Sequence, residues 1–321
     1  MKILAVQNRM GIGDTIIFLP FIEAISKKYN TPVDLLSRKS SKAEQYLNDT
    51  PYIGRLHTLD RNKKFNGRHD GVWGFLNLIK DLRKEKFDKI FIFNSSLRFN
   101  LIAKFSGCKQ IFQYSLFAKK DQHMINTAKD FLKKNLNIDV KTTDARIFIN
   151  PKKLLPVEKK YKINKNKVYI LLGIGGSGPS KRISPEIFIS VIEKILKKKD
   201  CHFFLATGNH GEEKKILEKI MNSGFGKLCT PINELSINET LPIIKICDAS
   251  VCNDTSFSHL SAALSVKTIT LMADTPLMYG NYSPRMYPII PEGMKDVNHH
   301  SDGKDKINPT KIYEKLIKIL N

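Results

Sequence analysis

Along most of the chain, short apolar runs alternate with longer stretches whose apolar residues recur every three to four positions. The runs lie at 2–6, 32–36, 89–93, 110–114, 168–172, 202–206, 249–252 and 268–272, and several are continuous in Val, Ile, Leu and Phe. Runs of that kind suit parallel strands covered on both faces. The stretches at 16–29, 72–86, 128–135, 187–199, 212–221, 257–264 and 309–320 carry the helical period. Strand–helix alternation of this sort predicts an α/β protein with doubly wound parallel sheets. The pattern lapses once, from 150 to 167, where Pro151, Pro156 and a Lys/Asn-rich stretch show no apolar period. That segment reads as a linker. It predicts two α/β domains, 1–155 and 156–321, with a cleft between them.

In open α/β sheets ligands gather at the carboxyl ends of the strands, so the chemistry is sought in the loops that follow them. The first is Asn8-Arg9-Met10-Gly11-Ile12-Gly13-Asp14-Thr15. Its glycines allow close approach of backbone to a bound group. Asp14 stands where a helix cap is expected, and it serves either as that cap or as a general base at the mouth of a cleft. The second loop, Gly173-Ile174-Gly175-Gly176-Ser177-Gly178-Pro179-Ser180-Lys181-Arg182, contains GxGxxG. Pro179 and a helix start delayed to Ser184-Pro185-Glu186 are not those of a dinucleotide fingerprint, and no acid ends the next strand. Backbone amides with Lys181 and Arg182 suit a diphosphate, although a solvated loop has the same composition. The third, Cys252-Asn253-Asp254-Thr255-Ser256-Phe257-Ser258-His259, crowds polar groups at a strand end, with His259 either structural or a phosphate donor. Glu212 begins a helix, as dipole complement or as a carboxylate for ribose hydroxyls. Arg61, Lys63, Lys64 and Arg68 form a basic run near 57–71, either a solvated face or an anion site.

Composition changes this picture in three places. The chain carries 53 Lys+Arg against 31 Asp+Glu, a formal charge of +22. Only 10 of those cations are arginine, so the surplus reads as lysine spread over a surface rather than as a nucleic-acid reader built on Arg forks. No nucleic-acid partner is expected. The five cysteines form no CxxC pair, which predicts buried free thiols in a reducing compartment. The apolar start is too short for a signal peptide, and no run reaches the ~18 residues of a membrane span. A cytoplasmic protein, peripheral to a membrane at most, is expected.

The loops, in this order, resemble those of the bacterial glycosyltransferase family 9, the heptosyltransferases of lipopolysaccharide assembly. The resemblance rests on Gly11-Ile12-Gly13-Asp14-Thr15 with Leu19-Pro20, on Phe87-Asp88 through Asn94-Ser95-Ser96-Leu97-Arg98, on Ser177-Gly178-Pro179-Ser180-Lys181, and on Asn253 to Leu264. It covers nearly the whole chain. It implies a GT-B fold and inverting transfer from a nucleoside-diphosphate sugar, typically ADP-heptose, to an anionic glycolipid acceptor at the membrane surface. By position it implies Asp14 as the base, Lys181 on the diphosphate and Glu212 on the ribose. Gly13, Ser177, Ser180, Asp254, Thr255, Ser256 and His259 then belong to the donor site, and Arg61, Lys63, Lys64 and Arg98 to the acceptor site. Three positions depart from the family pattern: Ser256 replaces a glycine, Ile183 a tryptophan, and 272–276 read Met-Ala-Asp-Thr-Pro.

One inverting displacement needs a base on the acceptor hydroxyl and cationic support for the leaving diphosphate. Lys181, Arg182, His259 and backbone amides can supply that support. No Asp-x-Asp pair occurs in the chain, so neither metal nor cofactor is expected beyond the nucleotide sugar. Two other readings remain open on residues alone. One is an NAD(P)-dependent oxidoreductase using the loop Gly173 to Gly178; the other is a non-catalytic binder of nucleotides or nucleic acid.

Overall fold

A computed structural model describes residues 1–62, 64, 66–116 and 123–321. The chain divides into two compact units, Met1–Phe148 and Ile149–Asn321.

The N-terminal unit runs β1 (Ile3–Gln7), α1 (Ile12–Tyr29), β2 (Val33–Arg38), β3 (Ile53–Leu59), α2 (Gly71–Glu85), β4 (Lys89–Ile92), α3 (Leu97–Phe105), β5 (Gln110–Gln113) and α4 (Met124–Leu136). Its five strands are parallel in the order β3-β2-β1-β4-β5. All of β1 is buried, as its unbroken Ile-Leu-Ala-Val run requires. The edge strand β3 has no such run. It buries only Ile53 and Leu59 and turns Gly54 and Arg55 to solvent, and the segment 57–71 around the basic run begins as strand. Asp34 on β2, His57 on β3 and Glu85 at the end of α2 bring oxygen and nitrogen atoms within 4.8 Å of one another. Lys2 and Arg55 both bind Glu85, which makes the group an ion-pair cluster tying α2 to the sheet.

The C-terminal unit runs α5 (Leu154–Lys160), β6 (Val168–Gly173), α6 (Pro185–Leu196), β7 (Cys201–Ala206), α7 (Gly211–Met221), β8 (Cys229–Pro231), α8 (Ile237–Lys245), β9 (Ala249–Asn253), α9 (Ser256–Ala263), β10 (Lys267–Leu271), β11 (Met286–Ile289) and α10 (Pro309–Leu320). Its six parallel strands lie in the order β11-β10-β9-β6-β7-β8. The stretch 150–167 is not extended throughout, since Pro151–Lys153 forms a 3-10 turn and α5 follows it. Ile183 is fully buried with Ile174, Phe188 and Phe203 in the core of this unit, so the residue replacing the family's tryptophan packs inward.

Both sheets reverse their strand order once, between β1 and β4 and between β6 and β9. Where two crossovers leave a sheet in opposite directions, a crevice opens at the carboxyl ends of the strands. The loop carrying Asp14 and the segment Asn94–Arg98 follow β1 and β4, the two strands of the first reversal. The glycine-rich loop and Asn253–Thr255 meet at the second. All five cysteines are buried and unpaired; Cys252, with its thiol pushed up to about 12 by burial, packs where a Cβ on Gly173 would stand 2.7 Å from its sulfur.

Candidate active site

The helix α1 starts two residues before Asp14. Gly11 is its N-cap in an extended conformation, and Asp14 lies in the first turn. The carboxylate reaches back, with Oδ2 accepting the Gly11 N–H at 3.2 Å and Oδ1 3.6 Å from Arg9 Nη1. Asp14 is thus not the N-cap, one of the two readings its position allowed. A residue in the third helical position satisfies the amide of the cap instead. Gln7 Nε2 donates to the Asp14 carbonyl at 3.0 Å and anchors the turn to the end of β1. Gly13 sits inside the same turn, and a quarter of the Asp14 side chain stays open to solvent.

In the C-terminal unit the two polar loops, 73 positions apart, are joined by a pair of charges. Lys181 Nζ donates to Asp254 Oδ2 at 2.7 Å. Burial pushes the Asp254 carboxyl up, but the Lys181 ammonium, the His259 ring and the Lys181 hydrogen bond outweigh it and hold it below its ordinary value. His259 lies on the first turn of α9, with Nε2 3.9 Å from Asp254 Oδ1. Its Nδ1 is 2.9 Å from the Tyr282 hydroxyl, and the two rings stack. Asn253 Nδ2 donates to the carbonyls of Ile174 and Gly175, both at 3.0 Å, and fastens the end of β9 to the glycine loop. Arg182 Nε closes that loop on the Gly176 carbonyl at 3.0 Å. Thr255 caps α9 through its backbone, Ser256 opens the helix, and Ser177 and Ser180 lie on the exposed side of the glycine loop.

The two neighbouring glutamates of α7 face opposite ways. Glu212 is largely exposed and paired with Lys215 at 2.7 Å, and that contact holds its carboxyl below the ordinary value. Glu213 is buried and accepts the Gly176 N–H at 2.8 Å. Gly175 and Gly208 make room for it, since a Cβ on either would stand 2.4 Å from one of its oxygens. The carboxylate joined to the glycine loop is therefore Glu213, the neighbour of Glu212. A signal was present: Glu213, Leu217 and Ile220 fall on one helical face, and all three are buried.

At the carboxyl edge of the N-terminal sheet, three arginines gather around one acid. Arg61 Nε approaches Asp70 Oδ1 at 3.4 Å, and Asp70 also accepts the amides of Asn62 and Gly67. Arg98 Nη2 donates to the His69 carbonyl at 3.1 Å, and Arg38 Nε to the Asn8 carbonyl at 2.7 Å. Burial, followed by repulsion from Arg61, pushes both the Arg38 and the Arg98 guanidinium down. Arg38 carries no sequence signal, because one arginine ending a strand has no motif around it. Of the basic run, Lys64 is exposed, Arg68 is engaged with Asp81, and Lys63 lies outside the described residues. Gln113 Nε2 donates to the carbonyls of Asn94 and Ser96, which fixes the turn that presents Arg98.

A sequence model of glycosyltransferase family 9 (heptosyltransferase) matches residues 75–298, about two thirds of the chain and all of the C-terminal loops described above. The chain belongs to glycosyltransferase family 9. It is a glycosyltransferase built on two Rossmann-like domains of the GT-B class. Lipopolysaccharide heptosyltransferase 1 of Campylobacter coli is 23% identical over 356 aligned positions, covering 100% of this chain and 98% of that protein. The structure of Escherichia coli ADP-heptose lipopolysaccharide heptosyltransferase II superposes with a TM-score of 0.75 at 16% identity, over 100% of this chain and 98% of that one. The E. coli heptosyltransferase WaaC with ADP gives a TM-score of 0.73 at 14% identity, over 99% and 100%. The glycine loop passes through a 3-10 turn at Pro179–Lys181 before α6 begins at Pro185, which disfavours the oxidoreductase reading.

Proposed function

We propose that the protein transfers heptose from ADP-heptose, with inversion, to an anionic core glycan of lipopolysaccharide type. The observation that carries this reading is the 2.7 Å pair between Lys181 and Asp254, which joins the two donor-side motifs of the family at the strand reversal of the C-terminal sheet. Relatives of the chain are heptosyltransferases by name, and one was solved with ADP. In the proposed complex the donor diphosphate takes over the Lys181 ammonium from Asp254, with Arg182 and His259 beside it. Ser177, Ser180, Thr255 and Ser256 offer hydroxyls and amides at its edge. Asp254, released from Lys181, then faces the sugar. Glu212 leaves Lys215 to accept the ribose hydroxyls, while Glu213 keeps the loop in shape.

Asp14 removes the proton from the acceptor hydroxyl as that oxygen attacks the anomeric carbon. The bond from that carbon to the diphosphate breaks on the opposite face, and ADP leaves with the electron pair. The charge growing on the diphosphate meets Lys181 and His259, which stabilise it more in the transition state than in the bound donor. Arg61, Arg98 and Lys64, with Lys63, take the acceptor's anionic groups, and Arg38 joins them. No metal ion enters this scheme. The test is Asp14→Asn, with donor and acceptor affinity measured by calorimetry and transfer by mass gain of the acceptor. Retained binding with turnover reduced by at least ~100-fold, the scale of a lost general base, is expected. Unchanged turnover would remove Asp14 from the chemistry.

A further inference from the structure

The exposed face of α2 matches nothing in the chemistry above. Val72, Trp73 and Leu76 share it near the helix start and are 75%, 79% and 48% exposed. One to two turns further on the same face, the residues are Lys80, Arg83 and Lys84. The two acids of α2 point elsewhere, Asp81 to Arg68 and Glu85 to Lys2 and Arg55. The packed neighbour α3 adds exposed Leu97 and Phe105, with Phe105 against Phe75. Among the described residues, Leu155 is the one large apolar side chain of comparable exposure in the C-terminal unit. The patch is therefore a local feature of the N-terminal unit, as a docking surface is.

We propose that this face of α2, with the start of α3, seats the enzyme on an anionic lipid bilayer. Trp73 is the only tryptophan of the chain, and an exposed indole flanked by aliphatic side chains belongs at the boundary of headgroups and acyl chains. A face that is apolar at one end and purely cationic at the other fits a negatively charged interface better than it fits another copy of a chain with a charge of +22. Its place in the fold agrees. The first turn of α2 follows the Arg61–Asp70 segment, and the Arg98 guanidinium sits 5.4 Å over the Phe75 ring of the same helix. Docking there holds the arginine cluster at the membrane level of a lipid-linked acceptor, so the proposal rests on the acceptor class given above.

The full chain carries its own probe. Mixing it with vesicles of equal parts phosphatidylcholine and phosphatidylglycerol should shift the Trp73 emission to shorter wavelength, and bromine-labelled acyl chains should quench it. Vesicles of phosphatidylcholine alone, or anionic vesicles in high salt, should do so much less. Leu76→Ser should lower vesicle affinity about tenfold or more. Lys80→Gln and Lys84→Gln should lower it about fivefold each. An unshifted emission with anionic vesicles, or full affinity in Leu76→Ser, overturns the proposal. So does a blue shift that grows with protein concentration without lipid, alongside a dimer in sedimentation, because the face would then belong to a second copy. Transfer to a deacylated, water-soluble acceptor should be unchanged in Leu76→Ser. Failure of heptosyl transfer to every acceptor while vesicle binding persists would sink the proposed heptosyl-transfer reaction and leave the membrane face standing.

Discussion

Replacing Lys181 with alanine removes the closest cation of a carboxylate that is only 7% exposed, leaving the His259 ring at 3.9 Å beside Asp254. Breaking a fully buried pair from one side costs about 3–5 kcal/mol; with a quarter of the Lys181 side chain in solvent, about 2–3 kcal/mol is expected at pH 7. In a unit of this size that corresponds to a fall of about 4–12 °C in melting temperature. The loss has a definite pH dependence. In the native protein the Asp254 carboxyl lies below its ordinary value of 3.8, so its contribution is present above that value and is lost as the pH falls through the lowered one. Without Lys181, burial, the largest single influence on this carboxyl, is expected to push it above 3.8. The unfolded chain then releases its proton first, and the variant loses stability as the pH climbs. Melting followed by circular dichroism from about pH 3.5 to 7 should show the gap between variant and native protein opening upward through about pH 4. A second change, Asp254→Asn, should close most of the gap but leave affinity for the nucleoside diphosphate low. A Lys181→Ala protein as stable as the native one at pH 7, or a gap independent of pH, would refute the role given to this pair.

Three further outcomes follow from the geometry. Glu213→Gln, which weakens the acceptor of the Gly176 amide, should lower melting temperature and donor affinity together, whereas Glu212→Gln should leave melting nearly unchanged and lower donor affinity alone. Gly175→Ala places a methyl 2.4 Å from Glu213 Oε1 and 2.7 Å from Thr207 Oγ1, so it should destabilise the C-terminal unit by about 1–3 kcal/mol in a denaturant titration. Arg38→Gln and Arg61→Gln should each raise the acceptor KM severalfold with donor affinity intact, and the acceptor dependence should weaken in high salt.

The sequence shows the buried half of the fold and hides most of its edges. Strand β6, with its Val-Tyr-Ile-Leu-Leu run, is unmistakable because both faces are covered. The edge strands β3, β8 and β11 are absent from the sequence reading, since one is polar on its exposed positions and the others are three or four residues long and contain a proline. Proline hides α5 and α8 in the same way, although Pro242 is tolerated inside α8 behind the Ser236–Glu239 capping box. The family motifs locate the loops of the site but not the direction of each side chain. A Glu-Glu pair at a helix start has identical local chemistry at both positions, and only the period through Leu217 and Ile220 turns Glu213 inward. Arg38 and Tyr282 enter the picture solely through contacts distant in sequence, Arg38 with Asn8 and Tyr282 with His259.

The central claim is that the crevice framed by Lys181, Asp254 and His259 binds an ADP-linked sugar. Calorimetric titration of the native protein with ADP-heptose, ADP, UDP and NAD, repeated with Lys181→Ala, addresses it directly. Saturable binding of ADP-heptose and ADP, weakened at least about tenfold in the variant by loss of a charged phosphate contact, is the predicted result. Binding of NAD alone, or ADP affinity unchanged without Lys181, would contradict it.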